Sequence, residues 1–234
     1  MLLELVGGAA CGLAGLMTYG VRGRSSTLFA PSVWRGANRK AIALTFDDGP
    51  SESTPLLLEL LAREGVPATF FQCGVNVRRL PGIAREVARA GHEIGNHSDS
   101  HPRFYLRSPA FMEEEMARAQ AAIEDAAGVR PALFRVPYGA RWFGLRRAQQ
   151  RLGLMGVMWT AMASDWRLSA PAIARKLLRA ACAGAILCLH DGRERAIKPD
   201  IRPTLEALRR LLPELRAGGY EFTTVSELIC PTTT

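Results

Sequence analysis

From Lys40 onward, short apolar segments alternate with longer amphipathic segments along the chain. The short segments are rich in β-branched and aromatic residues, which favours strands at 41–46, 67–73, 92–95, 132–136, 155–160, 184–190 and 220–224. The longer segments carry apolar residues at helical spacing, which predicts helices at 54–64, 81–90, 108–127, 144–152, 170–182 and 202–217. Alternation of this kind is typical of βα units. The pattern therefore predicts an α/β fold, arranged as an irregular, incomplete (β/α) barrel.

The N-terminal segment has a different pattern. Residues 1–20 are apolar and rich in small residues, with Glu4 as their one charged residue. A short membrane anchor, the hydrophobic part of a signal peptide and a helix packed on the domain all fit this composition. No Lys or Arg precedes the segment, which disfavours an ordinary secretory signal. We hypothesise a membrane-associated anchor at 1–20, a linker at 21–39 and the main domain at 40–230, and the sequence leaves the compartment open.

Composition adds little that is unusual. Hydrophobic residues make up 48% of the chain and charged residues 22%, which is ordinary for a globular protein. The formal charge of +8 comes mainly from arginines that are spread along the chain, so we expect a solvated basic surface and no nucleic-acid partner. A basic module that binds an anionic polymer is the alternative from outside the enzymes. The 5 cysteines form no Cys-x-x-Cys motif and lie mostly in apolar surroundings, which indicates buried free thiols.

The first predicted strand ends in two adjacent carboxylates, Asp47 and Asp48, followed by Gly49 and Pro50. Neighbouring side chains of a strand point to opposite faces, and Gly-Pro predicts a turn that lets the two acids converge from different directions. Two acids held together require a cation or a proton to relieve their repulsion. A solvated Asp-Gly turn is the structural alternative.

His97 and His101 follow the third predicted strand. If that turn is helical, a spacing of four residues puts both imidazoles on one face, as a single metal ion requires. Together with an oxygen of Asp48, the two rings would form a three-ligand site with room for water, which is the pattern of catalytic rather than structural metal sites. The alternative is a chance pair of surface histidines.

Candidate site residues also lie at or after the ends of three further predicted strands. Arg135 ends the fourth strand and would point towards the acids as a guanidinium fork, unless it is an ordinary rim arginine. Asp165 and Trp166 combine an acid with a flat apolar surface, as sugar-binding clefts often require, and a turn acid beside a core tryptophan is the alternative. His190 ends the sixth strand with Cys188 beneath it on the same face, and a histidine bonded only to backbone is its alternative.

These residues belong to five motifs that occur in a fixed order along the chain. They are Thr45-Phe-Asp-Asp-Gly, His97-Ser-x-x-His101, Arg135-x-Pro-Tyr138, Asp165-Trp166 and Leu187-x-x-His190-Asp191. In order and spacing, residues 40–230 resemble the NodB-like polysaccharide deacetylases, the carbohydrate esterases of family four. The resemblance implies an irregular (β/α) barrel and the hydrolysis of N-acetyl groups on glycans that contain N-acetylglucosamine.

The resemblance also implies a cofactor, a divalent metal ion that is usually zinc and in some members cobalt or nickel. It places Asp48, His97 and His101 as the metal ligands. It makes Asp47 the general base, oriented by Arg135.

For the rest of the reaction, the resemblance implies that His190 is the general acid and that Asp165 tunes it. The backbone N–H of Tyr138 would help to hold the oxyanion, and Trp166 would line the cleft. The chain departs from the family pattern at two positions. At the first, Met162 stands where the family frequently has an acid. Cys188 is the second departure, at a position in the acetyl pocket where leucine is usual.

We therefore expect a metal-dependent amidohydrolase that acts through metal-activated water on an N-acetylated amino-sugar polymer or oligomer. The alternatives among enzymes are an O-acetyl esterase acting on xylan and a deformylase acting on a lipid-linked amino sugar. An inactive, metal-holding carbohydrate-binding relative is a further alternative.

Overall fold

The computed structural model describes residues 2–37, 39–193 and 196–230, with side chains described from residue 11 onward. The strands are β1 (Ser32–Val33), β2 (Ala41–Asp47), β3 (Thr69–Gln72), β4 (Glu93–Asn96), β5 (Leu133–Phe134), β6 (Met155–Val157), β7 (Ala161–Met162), β8 (Ala185–His190) and β9 (Glu221–Thr223). The α-helices are α1 (Leu2–Arg22), α2 (Thr54–Glu64), α3 (Gly74–Arg79), α4 (Pro81–Arg89), α5 (Pro109–Ala127), α6 (Leu145–Leu152), α7 (Ala170–Ala180), α8 (Arg202–Ala217) and α9 (Val225–Ile229). A short 3-10 helix covers Pro137–Gly139.

The strands form one sheet in the order β1-β6-β5-β4-β3-β2-β8-β7, and β9 pairs with the start of β2. The paired strands are parallel throughout this sheet. Helices connect most of the successive strands, and the sheet curls into an open half-barrel. The predicted incomplete (β/α) barrel is confirmed.

The central strand β2 is buried along its whole length and shows how the fold positions the site. Ile42, Leu44 and Phe46 pack into the large apolar cluster beneath the helices. The alternate residues face the barrel interior, where Ala43 leaves room and Thr45 and Asp47 carry polar groups towards the carboxyl end of the strand. The alternation of side chains along β2 therefore separates the residues of the apolar core from those of the site.

The predicted strands and helices of residues 40–230 are all present, with ends that differ by a few residues. The sequence pattern missed β1, β7, α3 and α9, because segments of two to six residues are too short to show a period. Strand β1 pairs with β6 and lies inside the segment 21–39 that we interpreted as a linker. That interpretation is wrong for residues 32–33.

Helix α1 contains most of the apolar segment 1–20, and its last turn contacts the domain. Val21 is buried with Phe29 and Ala140, and its carbonyl accepts a hydrogen bond from the backbone N–H of Arg141 at 3.1 Å. Among the residues that the structure describes, no helix combines the length and the apolar character needed to cross a bilayer. An anchoring role for residues 1–20 stays a prediction, and Met1 lies outside the described residues.

The cysteines are free thiols, as expected. Cys73 and Cys188 are buried and Cys182 is partly buried, whereas Cys11 and Cys230 are exposed. The expectation of buried thiols is therefore correct for two positions and wrong for the two near the ends of the sequence.

Candidate active site

Asp47 and Asp48 have different partners because the chain leaves the strand between them. Strand β2 ends at Asp47, and Asp48 takes a left-handed backbone conformation with φ of 72°. The Asp47 carboxylate faces Arg135, at 2.7 Å from Oδ1, while the Asp48 carboxylate faces two histidines. The chain turns between the two acids as predicted, and both carboxylates lie near His97 Nε2, with Asp47 Oδ2 at 4.0 Å and Asp48 Oδ1 at 3.3 Å.

His97 and His101 converge on Asp48. Their Nε2 atoms lie 3.3 Å and 3.2 Å from Asp48 Oδ1, and all three side chains are buried. The loop does not meet the condition of a helical turn on which the spacing argument depended, since Ser98 and His101 have φ of 65° and 55°. Two left-handed residues turn the loop so that both rings still reach one point. His97 Nδ1 donates a hydrogen bond to the Arg135 carbonyl at 2.7 Å, which leaves Nε2 free to act as a ligand.

This group fits a divalent metal ion. Tetrahedral bonds of about 2.0–2.2 Å from one ion to imidazole nitrogen and carboxylate oxygen place the ligand atoms roughly 3.3–3.6 Å apart, close to the observed 3.3 Å and 3.2 Å. The ligand atoms of Asp48, His97 and His101 all lie within 4.8 Å of one another. Burial on its own raises the pKa of Asp48, but hydrogen bonds from His101 and His97 outweigh it and hold that pKa well below its ordinary value. The carboxylate is therefore ionised and ready to bind a cation.

Arg135 is fully buried and holds Asp47 in place. One guanidinium nitrogen donates to both Asp47 Oδ1 and Thr45 Oγ1 at 2.7 Å, and the other donates to the Met158 carbonyl at 3.1 Å. The guanidinium carbon lies 4.1 Å from the centre of the Phe71 ring. Arg135 is thus an interior residue that points at the acids, and the alternative of an ordinary rim arginine is wrong.

His190 is paired with Asp165. His190 Nδ1 donates to Asp165 Oδ1 at 2.7 Å, and its backbone N–H donates to Asp165 Oδ2 at 2.9 Å. The Thr204 hydroxyl donates to the same oxygen at 2.8 Å and so fixes the carboxylate. Burial on its own lowers the pKa of His190, but the hydrogen bond and charge of Asp165 outweigh it and raise that pKa to about 9. The ring is therefore protonated at neutral pH.

Cys188 lies beside both groups. Its thiol donates to Asp47 Oδ2 at 3.4 Å, and burial followed by the Asp47 charge raises the pKa of the thiol well above its ordinary value. Asp47, Cys188 and His190 also have donor atoms within 4.8 Å of one another. However, Arg135 already neutralises Asp47 and the thiol keeps its proton, so the group around Asp48 fits a cation better.

The site opens into a cavity of about 590 Å³. Its walls carry Asp47, Asp48, His97, His101, Tyr138, Trp159, Met162, Asp165, Trp166, Cys188 and His190. The Trp166 ring is 45% exposed and meets His190 edge-on at 5.0 Å, so Trp166 is a surface of the cleft and not a core residue. Tyr138 has φ of 57° in the short 3-10 helix, and its ring lies 4.6 Å from the ring of His101.

The sequence analysis missed several residues at the site. Arg22 and Arg193 line the cavity, and Thr204 fixes Asp165, yet none of them belongs to a recognisable motif. Asp191 belongs to the same motif as His190, so its position in the motif could have identified it as a residue of the site. Its carboxylate is fully buried and accepts a hydrogen bond from Thr54 at 2.6 Å, and burial raises its pKa to about 7.

Comparisons with known proteins give the family. Residues 35–157 match the family model described as polysaccharide deacetylase. The chain is 35% identical over 205 residues to the peptidoglycan-N-acetylglucosamine deacetylase PgdA of Listeria monocytogenes, covering 87% of this chain and 42% of that protein. It is 37% identical over 196 residues to a chitooligosaccharide deacetylase of Azorhizobium caulinodans, covering 78% of this chain and 91% of that protein.

A solved structure agrees with these relatives. The family 4 carbohydrate esterase from Streptomyces lividans, in complex with acetate, matches with a TM-score of 0.72 and 35% identity, covering 80% of this chain and 93% of that chain. The chain spans less than half the length of the Listeria relative but nearly all of the Azorhizobium relative. With the family model matched over residues 35–157 and a relative of 37% identity covered almost end to end, this chain belongs to the polysaccharide deacetylase family.

Proposed function

We propose that this chain removes N-acetyl groups from glycans that contain N-acetylglucosamine, of the peptidoglycan or chitooligosaccharide type, with one bound divalent metal ion. One observation carries the proposal. One cavity is lined by the group of Asp48, His97 and His101 together with Asp47 and His190. Asp47 is paired with the buried Arg135, and His190 is paired with Asp165. The names of the relatives from Listeria and Azorhizobium support the same reaction and the same substrate class.

Asp48, His97 and His101 would hold the metal ion, and zinc is the ion we propose. Two imidazoles and one carboxylate suit zinc and its neighbours in the transition series, and three protein ligands leave a position for water or substrate. When bound, such an ion polarises a carbonyl and lowers the pKa of water from about 16 towards 7.

Asp47 would accept the proton of the attacking water. Arg135 binds Asp47 Oδ1, so Oδ2 is the oxygen that faces the ligand group, 4.0 Å from His97 Nε2. The buried guanidinium keeps the carboxylate in one orientation, which a proton acceptor requires. Cys188 contacts the same oxygen and lines the cavity, so it would form a wall of the acetyl pocket.

His190 would donate the proton that the departing amine needs. An amine anion is a very poor leaving group, so cleavage of the C–N bond depends on a positioned acid. Since Asp165 occupies His190 Nδ1, the other ring nitrogen is the one that can donate into the cavity. The backbone N–H of Tyr138 would donate to the oxygen of the attacked carbonyl, where negative charge develops. Trp166 would bind the face of the sugar ring.

The test is release of acetate by purified protein after chelation and after reloading with Zn²⁺, Co²⁺ or Ni²⁺. Chitooligosaccharide, peptidoglycan glycan and acetylxylan are compared, and formylated glucosamine tests the deformylase alternative. We expect acetate and a free amine from the first two substrates only with metal, and most with zinc. Full activity after chelation, or turnover of acetylxylan or the formyl substrate alone, would overturn the proposal. Binding without turnover, weakening steeply with salt, would instead support the basic binding module.

A further inference from the structure

Helix α1 builds a second groove beside the active-site cavity. This α1 groove has a volume of about 260 Å³ and is lined by Met17, Thr18, Val21, Arg22, Arg103, Tyr105, Tyr138, Ala140 and Trp142. Arg22 and Tyr138 line the active-site cavity as well. The two spaces therefore adjoin at Arg22 and Tyr138.

The floor of the α1 groove is aromatic. The rings of Tyr105 and Trp142 meet edge-on with centroids 4.5 Å apart, and Tyr138 adds a third ring on the side of the cavity. Tyr105 is 46% exposed, and Tyr138 and Trp142 are partly exposed. Exposed aromatic faces of this kind bind the apolar faces of sugar rings while the hydroxyls stay in water.

The groove is also positively charged. Arg103 places its guanidinium 4.7 Å from the centre of the Tyr138 ring, and Arg22 donates to the Tyr138 carbonyl at 3.4 Å. Both arginines are exposed, and neither forms an ion pair within the described part of the chain. Among the described residues that line the groove, none is an aspartate or a glutamate. Since a guanidinium binds a carboxylate in a bidentate manner, this pair of arginines is suited to an anionic substituent.

We propose that the α1 groove is a subsite for a sugar that carries a carboxylate and is linked to the N-acetylated sugar in the active-site cavity. The inference rests on the proposed deacetylase function and narrows its substrate class. A neutral chitooligosaccharide would cover the aromatic rings but leave Arg22 and Arg103 without a counter-charge. A glycan in which amino sugars alternate with lactyl-bearing acidic amino sugars would satisfy both features, so this chain selects the acidic glycan.

The test uses two tetrasaccharides of the same alternating glycan, one with free lactyl carboxylates and one with the carboxylates converted to amides. The amide keeps the shape and removes the charge. For the zinc-loaded wild type, we expect kcat/KM to be about 10-fold or more higher on the acid form, mostly through KM, with the ratio falling as salt rises. Arg22→Gln and Arg103→Gln should each reduce this ratio several-fold, and the double variant should bring it close to one.

Arg89→Gln is the matched control, because Arg89 is an exposed arginine on α4 that lines neither space. It makes the same change in net charge and should leave the ratio unchanged. Calorimetric binding of both tetrasaccharides to the zinc-loaded protein gives a readout that needs no turnover. A wild type that binds and deacetylates both forms equally would overturn the subsite and leave the proposed function standing. A wild type that prefers the acid form in binding but releases no acetate would overturn the function and leave the subsite standing.

Discussion

Asp47 and His190 are register partners at the carboxyl ends of the neighbouring parallel strands β2 and β8. Each then has its own buried partner, Arg135 for the acid and Asp165 for the histidine. The backbone ladder therefore sets the separation of the two groups, and the partners set their charge. Substitution at either side chain should change the chemistry without changing the sheet.

The adjacent acids should differ in their effect on metal content. Asp47→Asn should keep the metal, because Asp47 pairs with Arg135, and should lose turnover by about 100-fold or more, since it removes the proton acceptor. Asp48→Asn should weaken metal binding first, because its carboxylate is the oxygen that both histidines face. Elemental analysis after dialysis against a chelator measures this directly. Equal metal loss in the two variants would contradict the separate roles.

Arg135 should contribute strongly to stability. Arg135→Met would leave the buried Asp47 carboxylate without its counter-charge and the Met158 carbonyl without a donor, so we expect a loss of about 3–5 kcal/mol in the free energy of unfolding. Arg210→Met is the control, because its ion pair with Glu206 is exposed and should be worth less than about 1 kcal/mol. Urea unfolding of metal-free protein measures both. Similar losses in the two variants would show that the buried ion pair contributes no more to stability than the exposed one.

The sequence predicts the strands, the two acids and the two histidines because each acid or histidine lies where an apolar segment ends, whereas the resemblance to the family implies the Asp165–His190 pair. It does not predict how the loop at His97–His101 turns, since the left-handed conformations of Ser98 and His101 are imposed by the folded surroundings and not by local preference. Arg22 was out of reach for another reason. It contacts Tyr138 across 116 positions of sequence, and Arg22 belongs to none of the five motifs.

Asp191 should make stability depend on pH. Its pKa is raised by burial from near 3.8 to about 7, so the folded state holds this proton more tightly than the unfolded state. Between these two values stability should fall as pH rises, by on the order of 1 kcal/mol per pH unit. Asp191→Asn cannot ionise and still accepts the hydrogen bond from Thr54, so its stability should exceed that of the wild type at pH 8 and depend less on pH.

Urea unfolding of metal-free protein at pH 5 and pH 8 checks this expectation for Asp191→Asn. Asp125→Asn, an exposed change on α5, is the control and should follow the wild type at both pH values. A wild type and an Asp191→Asn variant with parallel pH dependence would contradict the inference that the buried carboxyl keeps its proton.

The end of α1 should be part of the folded unit. Arg141 is buried and donates to the carbonyl of Ser26 at 2.5 Å and to the hydroxyl of Ser32 at 2.7 Å. Deleting residues 1–30 would remove the Ser26 acceptor and the buried Val21 and Phe29, so we expect a loss of several kcal/mol. Deleting residues 1–14 should change stability by less than about 1 kcal/mol, because the side chains described at 11–14 are exposed. Thermal unfolding compares the two, and a 1–30 deletion that is as stable as the full chain would instead support a separate anchor and linker.

The strongest dependence on pH should come from His190. A free histidine titrates near pH 6.5, so an unassisted imidazole would be mostly unprotonated at neutral pH and a poor source of the proton. Hydrogen bonding and the charge of Asp165 raise the pKa of His190 to about 9. The proton is therefore held through neutral pH, and kcat/KM should fall only as the pH rises past about 9. Asp165→Asn removes the stabilising charge and should move this alkaline limb to lower pH.

His190→Ala should cost about 10²–10⁴-fold on an amide substrate, the usual size of a general-acid contribution. An activated aryl acetate should lose far less, because its phenolate leaves without a proton. Comparing the two substrates in His190→Ala separates proton donation from positioning, since a residue that only positions the site would affect both alike. Thr204→Val supplies an intermediate variant, because it removes one hydrogen bond to Asp165 and leaves the carboxylate charge in place. Its alkaline limb should lie between those of wild type and Asp165→Asn, and equal losses on both substrates in His190→Ala would remove the acid role.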